Sequence, residues 1–145
     1  MSILYVTTHF SWAEFDCNDK DSTPVPDQFK PNVRRLCEQV LEPIRQRFGA
    51  PLIPNSGYRT VAYNRAVGGA KNSTHLNGTG VDFHPVERSK VATLAALIED
   101  MIRAGQLPAL GGFGIYKNWV HCDIRPRKSN GSLYRWTGKG VGSEQ

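Results

Sequence analysis

Two short segments hold three of the chain's four histidines, each segment with an aspartate as well. The first is Asn72-Ser-Thr-His-Leu-Asn-Gly-Thr-Gly-Val-Asp-Phe-His-Pro85, with two histidines, one aspartate and two glycines in fourteen residues. The second is Asn118-Trp-Val-His-Cys-Asp-Ile-Arg125, in which His121 and Asp123 stand two apart. Trp, Val and Ile favour a strand for the second segment. Residues two apart on a strand share a face, so His121 and Asp123 point one way and Cys122 the other. An imidazole beside a carboxylate is either a metal ligand with its partner or a plain hydrogen-bonded pair. In the first segment six residues separate His75 from Asp82, which is wrong for one helix face but natural for a loop running through Gly78 and Gly80 into a strand. If that strand neighbours the one carrying His121, then His75, Asp82 and His121 offer two nitrogens and one oxygen, a set suited to a zinc ion with an open fourth position. Two neutral imidazoles and one carboxylate leave such an ion with net positive charge, which brings the pKa of bound water from about 15.7 down to about 7. The competing reading is a polar surface turn, because Gly, Asn, Asp and Ser form turns whether or not anything binds.

These residues need elements to position them. From Pro31 to Phe48, Val33, Leu36, Cys37, Val40, Leu41, Ile44 and Phe48 recur at the three-four spacing of one helix face. Pro31 suits the first turn and Gly49 a stop, while Pro43 is expected to kink the helix or end it early. A second helix is expected from Ser89 to Ala104, with Ser89 as N-cap and Gly105 as terminator. Leu52-Ile53, Val81–Phe83, Gly112–Tyr116 and Trp119–Ile124 are strand candidates. Two main helices with several short, irregularly spaced strands predict an α+β fold built on a small, largely antiparallel sheet.

At 145 residues the chain suits one domain, and a domain of this size buries roughly 68–70% of the surface of its unfolded chain. The hydrophobic share of 39% and charged share of 21% are those of a globular protein, with no internal repeat. Net charge +5 favours an anionic partner such as nucleic acid, acidic lipid or bacterial cell wall. No apolar run reaches the roughly 20 residues of a membrane span. The run Ile3-Leu4-Tyr5-Val6 is too short, and lacks a preceding basic residue, for a signal peptide. Cys17, Cys37 and Cys122 are odd in number and never in a CxxC pair, so buried inert thiols are expected. Residues 126–145 lose periodicity and read as a basic tail packed on or trailing a domain of residues 1–125. In and beside that tail, Arg125, Arg127, Lys128, Arg135 and Lys139 interleave with Tyr134 and Trp136, a pattern that either tracks a phosphate backbone or is simply solvated.

Taken together, Ser56-Gly-Tyr-Arg59, Ser73-x-His75-x-x-Gly78-x-Gly80-x-Asp82, and Gly114-x-Tyr116 through His121-x-Asp123 resemble the M15 zinc peptidases. The likeness is strongest to their small peptidoglycan-cleaving branch ending in HxD, whose opening is similar to His9-Phe-Ser-Trp-Ala-Glu-Phe15; it spans roughly residues 9–125. The resemblance implies a fold like that of hedgehog and D-Ala-D-Ala peptidases. It implies Zn²⁺ on His75, Asp82 and His121, with Arg59 and Tyr116 toward substrate. A planar, always-charged guanidinium suits a substrate carboxylate or an oxyanion, although a surface salt-bridge role for Arg59 stays open. Many relatives place an acid three positions before the last histidine, where this chain has Asn118. An amide takes no proton from water, so Asp123 becomes the candidate general base, or else the residue that orients a ligand imidazole. The implied activity is hydrolysis of an amide bond in peptidoglycan stem peptides or cross-links, as endopeptidase or D,D-carboxypeptidase, by a monomer without specific nucleic-acid binding. The alternative is a catalytically inactive zinc-site module that binds cell wall. Such a substrate lies in the periplasm or outside the cell, which fits a phage-type lysin released through a separate pore, or an enzyme whose leader is absent from this sequence.

Overall fold

The computed structural model describes residues 4–138, so Lys139 of the basic run lies outside the described residues. The apolar stripe predicted for residues 31–48 forms one helical run of three parts: α1 (Lys30–Leu36), a π-helical turn (Cys37–Leu41) and α2 (Glu42–Phe48). Pro43 neither ends nor visibly interrupts this run. The reason lies one turn earlier, where the Glu42 N–H bonds to the Cys37 carbonyl five residues back. Such a widened turn makes room where a proline ring would strike the preceding turn and where its missing N–H would break the ladder. Cys37, Val40 and Leu41 of that turn are fully buried. The run stops at Gly49, whose N–H bonds to the Arg45 carbonyl.

After β3 (Leu52–Ser56), Thr60 caps a short helix, α3 (Val61–Ala66), by accepting from the Tyr63 N–H. β4 (Gly80–Pro85) follows, then α4 (Val91–Arg103). Ser89 is not the N-cap of α4: it lies inside a 3₁₀ turn (Arg88–Lys90), and Lys90 takes the cap position. Gly105 closes the helix as expected, its N–H on the Ile102 carbonyl.

β5 (Gly112–Ile115), β6 (Val120–Asp123) and β7 (Tyr134–Thr137) complete a five-stranded sheet in the order β3-β4-β6-β5-β7. All neighbours are antiparallel except β5 and β7, which run parallel. Part of the segment read as an irregular tail is thus an edge strand. A separate small hairpin, β1 (Tyr5–Thr7) with β2 (Phe10–Ser11), packs beside the helical run.

Strand alternation divides the sheet chemically. Val81, Phe83, Phe113, Val120 and Cys122 join Leu36, Ile44, Leu94 and Ile98 in one buried apolar cluster. The opposite face carries Asp82, His121 and Asp123. All three cysteines are buried free thiols, and burial drives the Cys122 thiol well above its ordinary pKa.

Candidate metal centre

Register places the chemistry in rows across the sheet. Asp82 pairs with His121, His121 with Gly114 and Gly114 with Trp136, while Gly80, Asp123, Gly112 and Tyr134 form the adjacent row. Histidine 75 reaches the same face from a 3₁₀ turn (Thr74–Asn77), where its N–H donates to Ser73 Oγ at 3.1 Å. Gly78 ends that turn at φ +77°, a conformation that disfavours any side chain. Gly80, by contrast, turns nothing. A Cβ there would lie 2.1 Å from Thr74 Oγ1 and 3.0 Å from His121 Cε1, so its bareness makes room for the centre.

His75, Asp82 and His121 lie with one potential ligand atom each, all within 4.8 Å of one another. Their exposures are 0%, 2% and 0%. Hydrogen bonds fix which atoms converge. His75 Nδ1 lies 2.7 Å from the Gly57 carbonyl, an acceptor only, so Nδ1 donates and the neutral ring keeps its lone pair on Nε2. His121 stands between two carboxylates, with Nε2 2.8 Å from Asp123 Oδ2 and Nδ1 2.9 Å from Asp82 Oδ1; a cation on the Asp82 side would leave the proton on Nε2 and the lone pair on Nδ1. His75 Nε2 is then 3.3 Å, and His121 Nδ1 2.9 Å, from Asp82 Oδ1. Three such lone pairs meeting in a buried site repel one another, a repulsion that a shared proton or a cation relieves. Ligand atoms placed tetrahedrally about 2.0–2.1 Å from zinc are roughly 3.3 Å apart, so the donor set fits such an ion.

Asp123 stands behind His121, on the ring nitrogen turned away from that convergence. It is fully buried, and Arg125 spans both its oxygens, with Nε to Oδ1 at 2.9 Å and Nη2 to Oδ2 at 2.7 Å. Burial alone would raise its pKa, but the hydrogen bonds and charges of His121 and Arg125 outweigh this and bring it to about 2.

Beside the ligands opens a cleft of about 200 Å³ lined by Asn18, Asn55, Ser56, Arg59, Tyr63 and Trp119 together with Asp82. Arg59 is only 4% exposed, which removes the surface salt-bridge reading. Its Nε donates to Ser56 Oγ at 3.1 Å, its Nη1 to Asn64 Oδ1 at 3.1 Å, and its Nη2 faces Asp82 Oδ2 at 3.6 Å. The cation is aimed at the Asp82 side of the cleft.

Tyr116, also expected toward substrate, is not among the residues that line this cleft. It is 3% exposed, its ring stacks on Trp119 at 4.8 Å, and its hydroxyl accepts from Trp136 Nε1 at 2.8 Å. It backs the cleft wall and leaves Trp119 to line it. His84, on β4 two residues after Asp82, is buried; its Nδ1 donates to the Pro85 carbonyl, and burial lowers its pKa. Asn118 lies at the exposed turn between β5 and β6, its carbonyl accepting from Arg88 Nη1 at 3.0 Å.

Sequence reasoning missed Asn64, Trp136 and the Arg125 grip on Asp123. Thr60 was a legible cap signal for the helix that carries Asn64. The contact of Trp136 with His121, ring centroids 5.2 Å apart, had no local signal at all.

Comparison with curated proteins gives no match. The sequence profile of the Peptidase M15 family matches residues 8–123, which include the Ser56–Arg59 segment and all three candidate ligands. Because that match covers most of the chain, the protein belongs to the Peptidase M15 family and is on that ground a peptidase.

Proposed function

We propose that this protein is a zinc-dependent peptidase that hydrolyses an amide bond in peptidoglycan stem peptides or cross-links at the bacterial cell wall. The observation that carries this reading is the convergence of His75 Nε2, Asp82 Oδ1 and His121 Nδ1 beside a cleft containing Arg59. Zinc held by those three residues supplies a Lewis acid for the scissile carbonyl and for water activation. Arg59 binds a substrate carboxylate or the oxyanion that develops as the carbonyl is attacked. Ser56 and Asn64 keep its fork oriented toward Asp82. Of the two roles open to Asp123, general base or orienter of His121, the second is favoured, because it lies behind the ring and both its oxygens accept from Arg125. Net charge +5 assists adsorption to an anionic wall.

A second reading, an inactive zinc-site module that binds wall, draws on two observations. Asn118 occupies an exposed turn, and Asp82 is the carboxylate among the residues lining the cleft. Digestion of purified cell walls by the zinc-loaded protein, with fragments read by mass spectrometry, separates the two. Wild type is expected to release peptide fragments, and His75→Ala to release at least a hundredfold less, on the order of losing a catalytic metal ligand. Wall retention without fragments from wild type favours the module and ends the hydrolase reading.

A further inference from the structure

The site described above continues beyond the family match, which stops at residue 123. Arg125 donates three hydrogen bonds to the Asp123 carboxylate: its backbone N–H and Nε to Oδ1, at 3.1 and 2.9 Å, and Nη2 to Oδ2 at 2.7 Å. The guanidinium in turn lies against two rings of β7, with Cζ 5.3 Å from the Tyr134 centroid and 5.2 Å from that of Trp136. Trp136 also touches His121 itself, at 5.2 Å between centroids. Two glycines on the neighbouring strand make this possible. A Cβ at Gly112 would lie 2.3 Å from Asp123 Oδ2, and one at Gly114 would lie 2.4 Å from Trp136 Nε1.

We propose that Arg125 is a positioning residue for the metal ligand His121, acting through Asp123 and held by Tyr134 and Trp136, so that β7 helps to set the metal affinity of the site. The inference rests on the metal-centre reading of the previous subsections. Its physics is that of an orienting shell. A carboxylate gripped at both oxygens cannot turn, so its Oδ2 stays on His121 Nε2 and the Nδ1 lone pair stays on the side of Asp82. Without the guanidinium, Asp123 is a buried anion short of two charge-assisted hydrogen bonds, and nothing else grips both its oxygens against rotation, so Oδ2 is no longer held at one place on His121 Nε2. The imidazole then loses the contact that selects its tautomer and ring angle. Cation–aromatic contacts stabilise the guanidinium in place without competing for its N–H groups.

Zinc affinity of the metal-free protein, measured by competition with a chromophoric chelator, tests this independently of any peptide substrate. Arg125→Met is expected to weaken zinc binding about 10- to 100-fold, the cost usual for removing such a supporting group. Arg125→Lys should recover part of that loss, since one ammonium replaces the charge but not the fork. Tyr134→Leu, a change at a half-exposed ring that leaves the fold intact, should weaken binding roughly two- to fivefold. Arg127→Met is the control, because Arg127 donates to the Leu107 and Leu110 carbonyls instead; its zinc affinity should equal that of wild type. ¹⁵N-imidazole spectra of zinc-loaded wild type should show the His121 proton on Nε2. Wild-type affinity in both Arg125→Met and Tyr134→Leu, an equal loss in Arg127→Met, or a His121 proton on Nδ1 overturns the proposal. If wild type binds zinc with these properties yet leaves cell walls intact, the peptidase substrate reading falls and the positioning role stands; if wild type binds no zinc, both fall.

Discussion

At the scale of single residues, this protein places its buried charges where each has a defined partner. Arg59 answers Asp82, Arg125 answers Asp123, and Glu42 answers His9. The last pair involves none of the three candidate ligands. Glu42 Oε1 accepts the His9 backbone N–H at 3.0 Å and Oε2 meets His9 Nδ1 at 2.6 Å, tying the turn between β1 and β2 to the start of α2. Burial opposes the charge on Glu42, but the His9 hydrogen bonds outweigh it and hold the pKa below the ordinary 4.5. A depressed carboxylate stabilises the fold fully above its unfolded pKa and loses that contribution as pH falls through the folded value. Glu42→Gln is therefore expected to cost about 2 kcal/mol near neutral pH. The gap between the two thermal midpoints should shrink as pH is taken below about 4.5, where wild type protonates as well. A gap that stays constant to low pH would show that the charge contributes nothing.

At the scale of elements, the sheet works as a ruler that brings distant sequence into rows. One row runs Asp82, His121, Gly114, Trp136 across four strands, and the bare third position lets the fourth lean over the second. Gly114 is therefore a space requirement rather than a turn. Alanine there would place its Cβ 2.4 Å from Trp136 Nε1 and 2.5 Å from Cε2, against a ring held by Tyr116 and Arg125. Gly114→Ala is expected to destabilise by about 1–3 kcal/mol, the usual cost of overpacking. Urea unfolding followed by tryptophan fluorescence measures it, and a midpoint equal to wild type would mean that β7 yields without cost. The helical run shows the same economy on the other face, where a single π turn accommodates Pro43 and lets one apolar stripe continue from Val33 to Ile44.

At the scale of the whole molecule, the candidate metal centre joins elements that sequence keeps far apart: a turn at 74–77, β4, and β6. An ion bound there ties these together only in the folded state, so it stabilises by mass action. Zinc at about a thousandfold over its Kd adds roughly 4 kcal/mol, which in a domain of this size corresponds to a thermal midpoint higher by on the order of 10 °C. Chelation should remove that increment and zinc should restore it, whereas His75→Ala should show no zinc-dependent shift. Much of this architecture was legible beforehand. The helical stripe of Val33 to Phe48, the alternation around Asp82 and His121, and the placing of Asp123 beside His121 all follow from periodicity, which is a local property of the chain. Serine 89 was misplaced as a cap, because capping depends on where the turn before the helix closes. What the chain alone could not decide was pairing: that β4 lies next to β6, that β7 joins the far edge in parallel, and that Arg125 and Trp136 thereby reach Asp123 and His121. Periodicity states which way a side chain faces, but which other side chain it meets is set by strand order and register. Those are fixed only when the whole apolar face of the sheet is buried at once.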